Sequence, residues 1–266
     1  MKFFDKSNNR LVFLEEKATS EYWDAQWNVE NFRSAVTGVR KGSFVRRYTD
    51  KYLPLGAKIL EGGCGKGQFV YALKKWGYAP VGVDYAEQTV KRIQQEFPEL
   101  NILKADVMDL PFEDNSFDGY WSFGVIEHFF DGYDKIAKEM HRVVKNNGYV
   151  FMTFPYMSPL RRLKAYVKQY PPFEQASADL NKFYQFALSK ESVQKKFADR
   201  GFECVESSSL DGVKGLKDEI KWLRPLLQPI YTPKNIVTKG IKFILDKLCR
   251  PFSSHVALLI FRVKKV

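Results

Sequence analysis

The chain has 266 residues, of which 45% are hydrophobic, and its 42 Lys or Arg outnumber its 31 Asp or Glu to give a net charge of +11. Its three cysteines, Cys64, Cys204 and Cys249, are odd in number and far apart, which argues against a disulfide framework and against a Cys/His zinc site. The first residues lack the apolar core of a signal peptide, and no stretch has the roughly twenty apolar residues that a membrane span needs. We therefore expect a cytoplasmic protein with a single domain over residues 1–266.

The first predicted helical region covers residues 17–48. Its aromatic residues recur at spacings compatible with a helix: Tyr22, Trp23, Trp27 and Phe32. The pattern predicts an N-terminal helical cap within residues 1–50. Core packing is the interpretation that we favour for these aromatic side chains, and direct contact with a ligand is the alternative.

A glycine-rich turn follows the first strongly apolar run. The run Ile59–Leu60 leads through Glu61 into four glycines, Gly62, Gly63, Gly65 and Gly67, and residues 68–76 are then predicted to form a helix. Glycine allows positive φ angles and lets a ligand approach the backbone N–H groups at the start of a helix. Such a loop alone is weak evidence, because glycines also mark ordinary turns.

Acidic residues end the next two predicted strands. Residues 79–83 form an apolar run that ends at Asp84, about twenty residues beyond the glycine turn, where nucleotide-type cofactors meet a carboxylate at the ribose hydroxyls. Residues 101–105 end at Asp106, and a fourth apolar run covers residues 117–124. The order of strand, glycine turn, helix and strand predicts an α/β fold.

Several ordered motifs resemble those of class I S-adenosylmethionine-dependent methyltransferases. They are Glu61-x-Gly63-x-Gly65-x-Gly67, Val83-Asp84, Ala105-Asp106-Val107 with Leu110-Pro111-Phe112, Ser116-Phe117-Asp118, and Val125-Ile126-Glu127-His128-Phe129. The resemblance runs from about residue 58 to Pro155. It departs from the family at Asn146-Asn147-Gly148, where Pro-Gly-Gly is usual, but asparagine tolerates left-handed backbone and the turn is expected to persist.

The resemblance implies a Rossmann-like, seven-stranded, mostly parallel sheet with helices on both faces and an antiparallel last strand. Helical insertions are expected after strand five and between strands six and seven, and residues 51–155 are the expected cofactor-binding core. The implied cofactor is S-adenosylmethionine. The residues that match the family's cofactor-binding positions are Glu61, Gly63, Cys64, Gly65, Gly67, Asp84, Tyr85, Asp106, Val107, Ser122 and Phe123.

A dinucleotide-binding domain is the nearest competing interpretation, because it shares the strand, the glycine loop, the helix and the later acid. Its loop must accept a pyrophosphate, whereas S-adenosylmethionine carries an ammonium and a carboxylate but no phosphate. In the resembling family the residue at Glu61 lies near that ammonium. The acid at the start of the motif therefore favours methyl transfer over hydride transfer.

His128 is the candidate catalytic residue. Methyl transfer depends mainly on positioning and on exclusion of water, and a base is needed only when the acceptor must lose a proton. His128 follows the fourth strand, and imidazole titrates near neutrality. A histidine that packs or orients the loop is the alternative. No cluster with metal-ligand spacing accompanies the motifs, so we expect no metal requirement.

The insertion over residues 156–188 is the predicted acceptor-binding region, because it follows strand five at the edge where open α/β sheets bind ligands. It mixes basic and aromatic side chains. Arg161 and Arg162 offer planar donors for phosphate or carboxylate, and Tyr184 is the aromatic candidate.

Residues 189–266 are predicted to hold the last two strands with a long insertion between them. From residue 210 onward there are twelve Lys or Arg and four Asp or Glu, a net charge of +8. This charge indicates a phosphate-bearing substrate, a membrane surface or nucleic acid, against the alternative of a solvated surface. Residues 235–248 are predicted to form a basic amphipathic helix, for which packing on the domain is favoured over membrane contact.

The sequence thus predicts a methyltransferase for a small-molecule, glycan or lipid-linked acceptor of anionic character, with peripheral membrane contact through the basic C-terminal part as a further expectation. A nucleic-acid (RNA) methyltransferase is one alternative, although the sequence shows no base-flipping Asn-Pro-Pro-Tyr motif and no RNA-binding module. A catalytically inactive scaffold is the other alternative, and the acids Glu61, Asp84 and Asp106 argue against it.

Overall fold

The computed structural model describes residues 1–40, 42–232 and 235–265. The strands of this described part are β1 (Lys2–Asp5), β2 (Arg10–Leu14), β3 (Lys58–Gly62), β4 (Ala79–Asp84), β5 (Ile102–Lys104), β6 (Phe117–Phe123), β7 (Val144–Pro155), β8 (Phe183–Ala187), β9 (Phe202–Leu210) and β10 (Val256–Val263). The α-helices are α1 (Ser20–Trp27), α2 (Phe32–Thr37), α3 (Phe44–Tyr52), α4 (Gln68–Lys75), α5 (Glu87–Glu96), α6 (Asp134–Val143), α7 (Pro159–Tyr166), α8 (Lys190–Ala198), α9 (Gly212–Glu219), α10 (Arg224–Tyr231) and α11 (Ile236–Ser253). Short 3₁₀ turns occur at Ile126–His128, Gln175–Ser177, Leu180–Lys182 and Lys221–Leu223.

The central sheet has seven strands in the order β5-β4-β3-β6-β7-β10-β9. The pairs β3–β4, β3–β6, β4–β5 and β6–β7 are parallel. Strand β10 runs antiparallel to both of its neighbours, β7 and β9. The expected Rossmann-like sheet with an antiparallel last strand is therefore confirmed. Its carboxyl edge, where β3, β4, β5 and β6 end, is the edge at which such sheets bind ligands.

Helices cover both faces of this sheet, so successive strand residues enter two different cores. On one face, Leu60, Tyr120 and Met152 pack with helix α6. On the other face, Ile59 and Trp121 pack with helix α3. Burial on both faces explains why neighbouring residues of β3 and β6, such as Ile59 with Leu60 and Tyr120 with Trp121, are all hydrophobic.

The N-terminal segment differs from the helical cap expected for residues 1–50. Strands β1 and β2 form a hairpin, and helices begin only at Ser20. The hairpin continues into a second, three-stranded sheet through β8, with Leu11 opposite Ala187. A pairing across so many residues depends on tertiary contacts, and local helix patterning does not reveal it.

The two predicted insertions are present. After β7, residues 156–188 contain α7 but also β8, so this insertion is only partly helical. Between β9 and β10 lie α9, α10 and α11, and α11 packs against α9 and α7. Asn147 takes a φ of 62°, as expected for the unusual turn. In the described ranges no helix is both long enough and apolar enough to cross a bilayer.

Candidate cofactor-binding and active site

The glycine turn connects β3 to α4 in backbone conformations that favour glycine. Gly65 has a φ of 50°, and a Cβ atom added there would lie 3.0 Å from Cε2 of Trp27. Gly67 caps α4 in the left-handed region with a φ of 73°, and its Cβ would lie 2.6 Å from Cδ1 of Ile102. Side chains at either position would meet both strain and collision. The turn therefore brings its backbone close to neighbouring groups at the carboxyl edge of the sheet.

Asp84 ends β4 directly beside this turn. Its Oδ2 atom accepts a hydrogen bond from the Gly65 N–H at 2.7 Å, and its Oδ1 atom accepts one from the Ala86 N–H at 2.9 Å. Burial raises the pKa of the Asp84 carboxyl, while the two backbone donors oppose that shift. Each oxygen keeps a free lone pair, so the carboxylate remains able to accept hydrogen bonds from a ligand.

Glu61 lies beneath the turn and has an unsatisfied carboxyl oxygen. The residue is only 1% exposed, and within the described part of the chain its Oε2 atom has no hydrogen-bond partner. Burial, reinforced by the nearby charge of Asp84, raises the pKa of Glu61 well above its usual value. A buried acceptor without a partner is costly, and a cationic or N–H donor placed at the turn would relieve that cost.

The cleft above these acids has a volume of about 280 Å³. It is lined by Ala18, Trp23, Trp27, Gly63, Asp84, Tyr85, Ala105, Asp106, Val107, Met108, Phe123, Gly124, Val125, His128 and Phe129. No Lys or Arg belongs to this lining, as far as the described residues go. The cleft therefore combines an apolar, largely aromatic wall with a few acids, the usual composition of a small-molecule site.

Helix α1 forms one side of the cleft as a lid. Trp23 and Trp27 stack on each other with ring centroids 5.5 Å apart and an interplanar angle of 15°. None of the helix's residues is fully buried. Its docking instead uses Asp24, whose Oδ1 atom accepts hydrogen bonds from the N–H and hydroxyl of Thr89 at 2.8 and 2.7 Å. Asp24 therefore caps α5 from outside that helix and holds the lid to the core.

His128 lies in the cleft lining as a neutral imidazole. Its Nδ1 atom is 2.7 Å from the carbonyl oxygen of Tyr184, so Nδ1 carries the proton and donates to that oxygen. Burial lowers the pKa of His128 to about 4, with the Tyr184 carbonyl opposing the shift. Nε2 is then an unprotonated acceptor. The Trp23 ring lies edge-on to the imidazole with centroids 5.1 Å apart.

Most of the predicted cofactor residues meet at this cleft. Those that line it are Gly63, Asp84, Tyr85, Asp106, Val107 and Phe123, together with His128. Those outside the lining are Glu61, Cys64, Gly65, Gly67 and Ser122. Glu61, Cys64 and Ser122 are buried, and Ser122 Oγ has no partner among the described atoms. Tyr184 reaches the site through its backbone carbonyl and through its ring, 5.2 Å from the His128 ring.

The prediction that Arg161 binds an anionic acceptor is wrong. The residue is 1% exposed, and its Nε donates to Glu219 Oε1 at 2.9 Å while its NH1 group donates to the Tyr156 carbonyl at 2.8 Å. Arg162 also lies away from the cleft and pairs with Glu191 at 2.6 Å. Both guanidinium groups are engaged by partners that lie within the chain, and the buried pair with Glu219 cannot be exchanged for a ligand without a large desolvation cost.

The two tryptophans of the lid were not among the predicted site residues. Core packing was favoured for Trp23 and Trp27, with ligand contact as the alternative, and the structure places both in the cleft lining. The helical spacing of these aromatics was the available signal. It does not distinguish a buried face from a lid face, because either one is apolar. In the described ranges no group of three or more His, Cys, Asp or Glu is placed to hold a metal.

The chain is similar to several known proteins in sequence and in fold. A family model described as a methyltransferase domain matches residues 60–152. A Mycobacterium tuberculosis protein, named a probable S-adenosylmethionine-dependent methyltransferase, is 30% identical over 97 residues, and the match spans 36% of this chain and only 35% of that relative's length. A demethylmenaquinone methyltransferase of Staphylococcus aureus is 26% identical over 230 residues, covering 79% of this chain and 85% of that protein. A Pyrococcus horikoshii crystal structure shares the fold with a TM-score of 0.57 at 19% identity, covering 92% of this chain and 99% of that one.

Proposed function

We propose that the chain is a class I S-adenosylmethionine-dependent methyltransferase that transfers a methyl group to a small-molecule acceptor with an apolar ring or lipid portion. The observation that carries the proposal is that two acids lie at one glycine turn. Asp84 accepts from the Gly65 N–H, and Glu61 has a carboxyl oxygen without a partner among the described residues. These two acids offer acceptors to the hydroxyl and ammonium groups of the cofactor, with no phosphate-binding cation in the cleft lining of the described residues.

Residues of the chain fit the cofactor's parts by their chemistry. Glu61 would accept from the ammonium, directly or through a neighbouring group, and Asp84 would accept from the ribose hydroxyls. Tyr85 would lie against the adenine, with Asp106 near its amino group and Val107 beside it. When bound, S-adenosylmethionine supplies an electrophilic methyl group on a sulfonium.

The lid and His128 would supply the rest of the chemistry. Trp23 and Trp27 exclude water from the cleft and restrict the acceptor to a narrow apolar space, so that positioning lowers the barrier. His128 Nε2 takes the proton that an acceptor hydroxyl or amine loses. Its Nδ1–H remains bonded to the Tyr184 carbonyl, which fixes the tautomer.

We infer the class of acceptor from the residues of the cleft wall. Trp23, Trp27, Phe123 and Phe129 present rings rather than charges, which favours an aromatic or lipid-linked molecule over an anionic one. The Staphylococcus aureus relative carries a name that includes a demethylated menaquinone, and we extend that acceptor type to this chain as a proposal. A nucleic-acid acceptor would need cations along the cleft to meet phosphates.

Radiolabelled methyl donor tests the proposal. The purified chain is incubated with lipid extract, with water-soluble metabolites, and with RNA and DNA. Saturable label in the organic-soluble fraction, strongly reduced with the Asp84→Ala variant at the same cofactor concentration, is the expected result. Label confined to nucleic acid would overturn the acceptor class. Binding of the cofactor without label in any fraction would support the inactive-scaffold alternative.

A further inference from the structure

Helix α11 carries an apolar outer face that the rest of the chain leaves uncovered. Ile236 is 80% exposed, Leu248 is 70% exposed and Phe243 is 69% exposed. We define the α11 outer face by its exposed apolar residues Ile236, Val237, Ile241, Phe243, Ile244, Leu248 and Phe252. Soluble monomers rarely expose so many large apolar side chains on one element, so this face indicates a binding surface.

The opposite side of α11 is already packed. Ser253 Oγ donates to the Gly212 carbonyl at 2.8 Å, and the buried Asp246 accepts from the Val213 N–H and from Arg250 Nε. The helix packs against α9 and α7 through this side. Domain packing therefore accounts for one side of α11 and leaves the outer face unexplained.

The charges around the outer face are cationic. Lys239 and Lys247 are exposed on α11. The one acid of this helix, Asp246, is buried and paired with Arg250. In the 3₁₀ turn that precedes α10, Trp222 is 74% exposed and has Lys221 and Arg224 close to it in the sequence. Apolar and aromatic side chains flanked by lysine are typical of a helix that lies in the plane of a membrane interface.

We propose that the α11 outer face docks on the surface of an anionic lipid bilayer, with the helix lying in the interface plane. Its apolar side chains would enter the boundary between headgroups and acyl chains, and its lysines would meet lipid phosphates. The proposal concerns attachment of the protein, and its test does not depend on the methyl-transfer activity proposed above.

A second copy of the chain is the competing occupant of this face. Two-fold pairing would place the same surface against itself, so that Lys239 and Lys247 of both copies would come together without acids on α11 to neutralise them. An anionic bilayer provides opposite charge instead. Charge complementarity therefore favours the membrane.

The location of α11 agrees with this assignment. Strand β10 follows the helix and starts at Val256, which pairs with Pro155 at the carboxyl end of β7. The C-terminal end of α11 therefore stands at the same edge of the sheet as the cleft. A helix docked on a bilayer through its outer face would therefore end at the edge of the sheet that holds the cleft.

Co-sedimentation of the full chain with large vesicles tests the proposal. One set is phosphatidylcholine alone, and the other is an equimolar mixture with phosphatidylglycerol. We expect tight binding to the anionic vesicles only, weakened by salt. Replacing Ile244 and Leu248 with Gln should weaken binding by about tenfold or more, because two inserted side chains are lost without a change in charge.

Matched controls separate this face from general surface effects. The double variant Leu55→Gln with Leu103→Gln also removes two exposed apolar side chains, one in the turn before β3 and one in β5, and should bind like the parent. Lys239→Glu with Lys247→Glu should abolish binding, whereas Lys135→Glu with Lys138→Glu on α6 makes the same charge change and should reduce it much less.

Circular dichroism first establishes that each variant is folded. Failure of the parent to bind anionic vesicles, or equal binding by the Ile244/Leu248 variant, would overturn the proposal. Sedimentation velocity without lipid measures whether a second copy of the chain binds the outer face. A dimer that the Ile244/Leu248 variant converts to monomer would assign the outer face to a second copy and reject the membrane.

Discussion

Asp84 Oδ2 accepts a hydrogen bond from the Gly65 N–H at 2.7 Å, so the end of β4 holds the glycine turn that follows β3. The carboxylate proposed to bind the ribose therefore also fixes the backbone that the ligand must approach. Loss of the side chain should affect both the contact and the shape of the turn.

Asp84→Ala should weaken binding of S-adenosylmethionine by about ten- to a hundredfold, because a charge-assisted contact and the anchor of Gly65 are both lost. Asp84→Asn keeps one acceptor oxygen and should bind more tightly than the alanine variant. Isothermal titration calorimetry measures both, with Glu99→Ala as the control at an exposed acid before β5. Unchanged affinity in a folded alanine variant would refute the assignment.

Glu61→Gln should alter the protons exchanged on cofactor binding. Burial raises the pKa of Glu61, whereas an ammonium beside it would favour the ionised form. Cofactor binding should therefore shift this carboxyl towards its ionised form and release a measurable number of protons. Calorimetry in buffers of different ionisation enthalpy measures this number. Parent-like proton release by the glutamine variant would assign the proton to another group.

His128 should act as a neutral base over an unusually wide pH range. Since its pKa is lowered to about 4, the parent rate should stay level as pH falls through 6.5, where an unperturbed histidine would already be half protonated. The same shift affects folding stability, because the unfolded chain protonates this histidine near pH 6.5 and the folded chain only near pH 4. The full stability is therefore present above pH 6.5 and decreases as pH falls towards 4.

His128→Gln should therefore lower kcat. The melting temperature of this variant should also fall less than that of the parent when the pH is lowered from 7 to 4.5. His141→Gln serves as the control, because His141 lies outside the cleft. An unaltered kcat in His128→Gln would leave this histidine with only a packing role.

Asp24→Ala should loosen the lid. The substitution removes the acceptor for the Thr89 N–H and hydroxyl, a capping interaction of about 1 kcal/mol, so binding that needs a closed lid should weaken by about fivefold. Hydrogen exchange of residues 18–28 should rise in parallel. Gln26→Ala changes an exposed residue of the same helix and should leave both measurements unaltered. Increased exchange without weaker binding would separate the lid from ligand affinity.

Glu219→Gln should destabilise the fold rather than alter acceptor binding. The buried Glu219 accepts hydrogen bonds from Arg161, Lys2, Lys164 and Tyr170. Burial alone would raise its pKa, but the charges of Arg161 and Lys2, with the hydrogen bonds from Lys2 and Tyr170, hold the pKa well below the usual range. Its stabilisation is therefore present above pH 4.5 and is lost as pH falls. At pH 7 urea unfolding should show a loss of about 3 kcal/mol, because a neutral amide leaves cations buried.

Glu191→Gln is the matched control, since it breaks the exposed pair with Arg162 and should cost no more than about 0.5 kcal/mol. Equal losses for the two glutamine variants would contradict the assignment of Glu219 as the buried centre of this cluster.

Local patterns in the sequence were enough to predict several of the residues that meet at the cleft. The glycine turn, Asp84 and Asp106 each follow an apolar strand directly, and the family resemblance implied a seven-stranded, mostly parallel sheet. These features depend on backbone sterics and on strand ends, which are encoded within a few neighbouring residues. The antiparallel β10 was implied by the family resemblance alone, and the turn at Asn146-Asn147-Gly148 was expected because asparagine tolerates left-handed backbone.

Tertiary structure alone decided the residues whose roles depend on distant partners. Arg161 pairs with Glu219, which lies 58 positions further along the chain, and β2 pairs with β8. Trp23 lines a cleft and α11 leaves an apolar face outside, although both helices have the periodicity of core-packing helices. Periodicity gives the polarity of a face but not what covers it, because burial is decided by elements that are remote in sequence and adjacent only after folding.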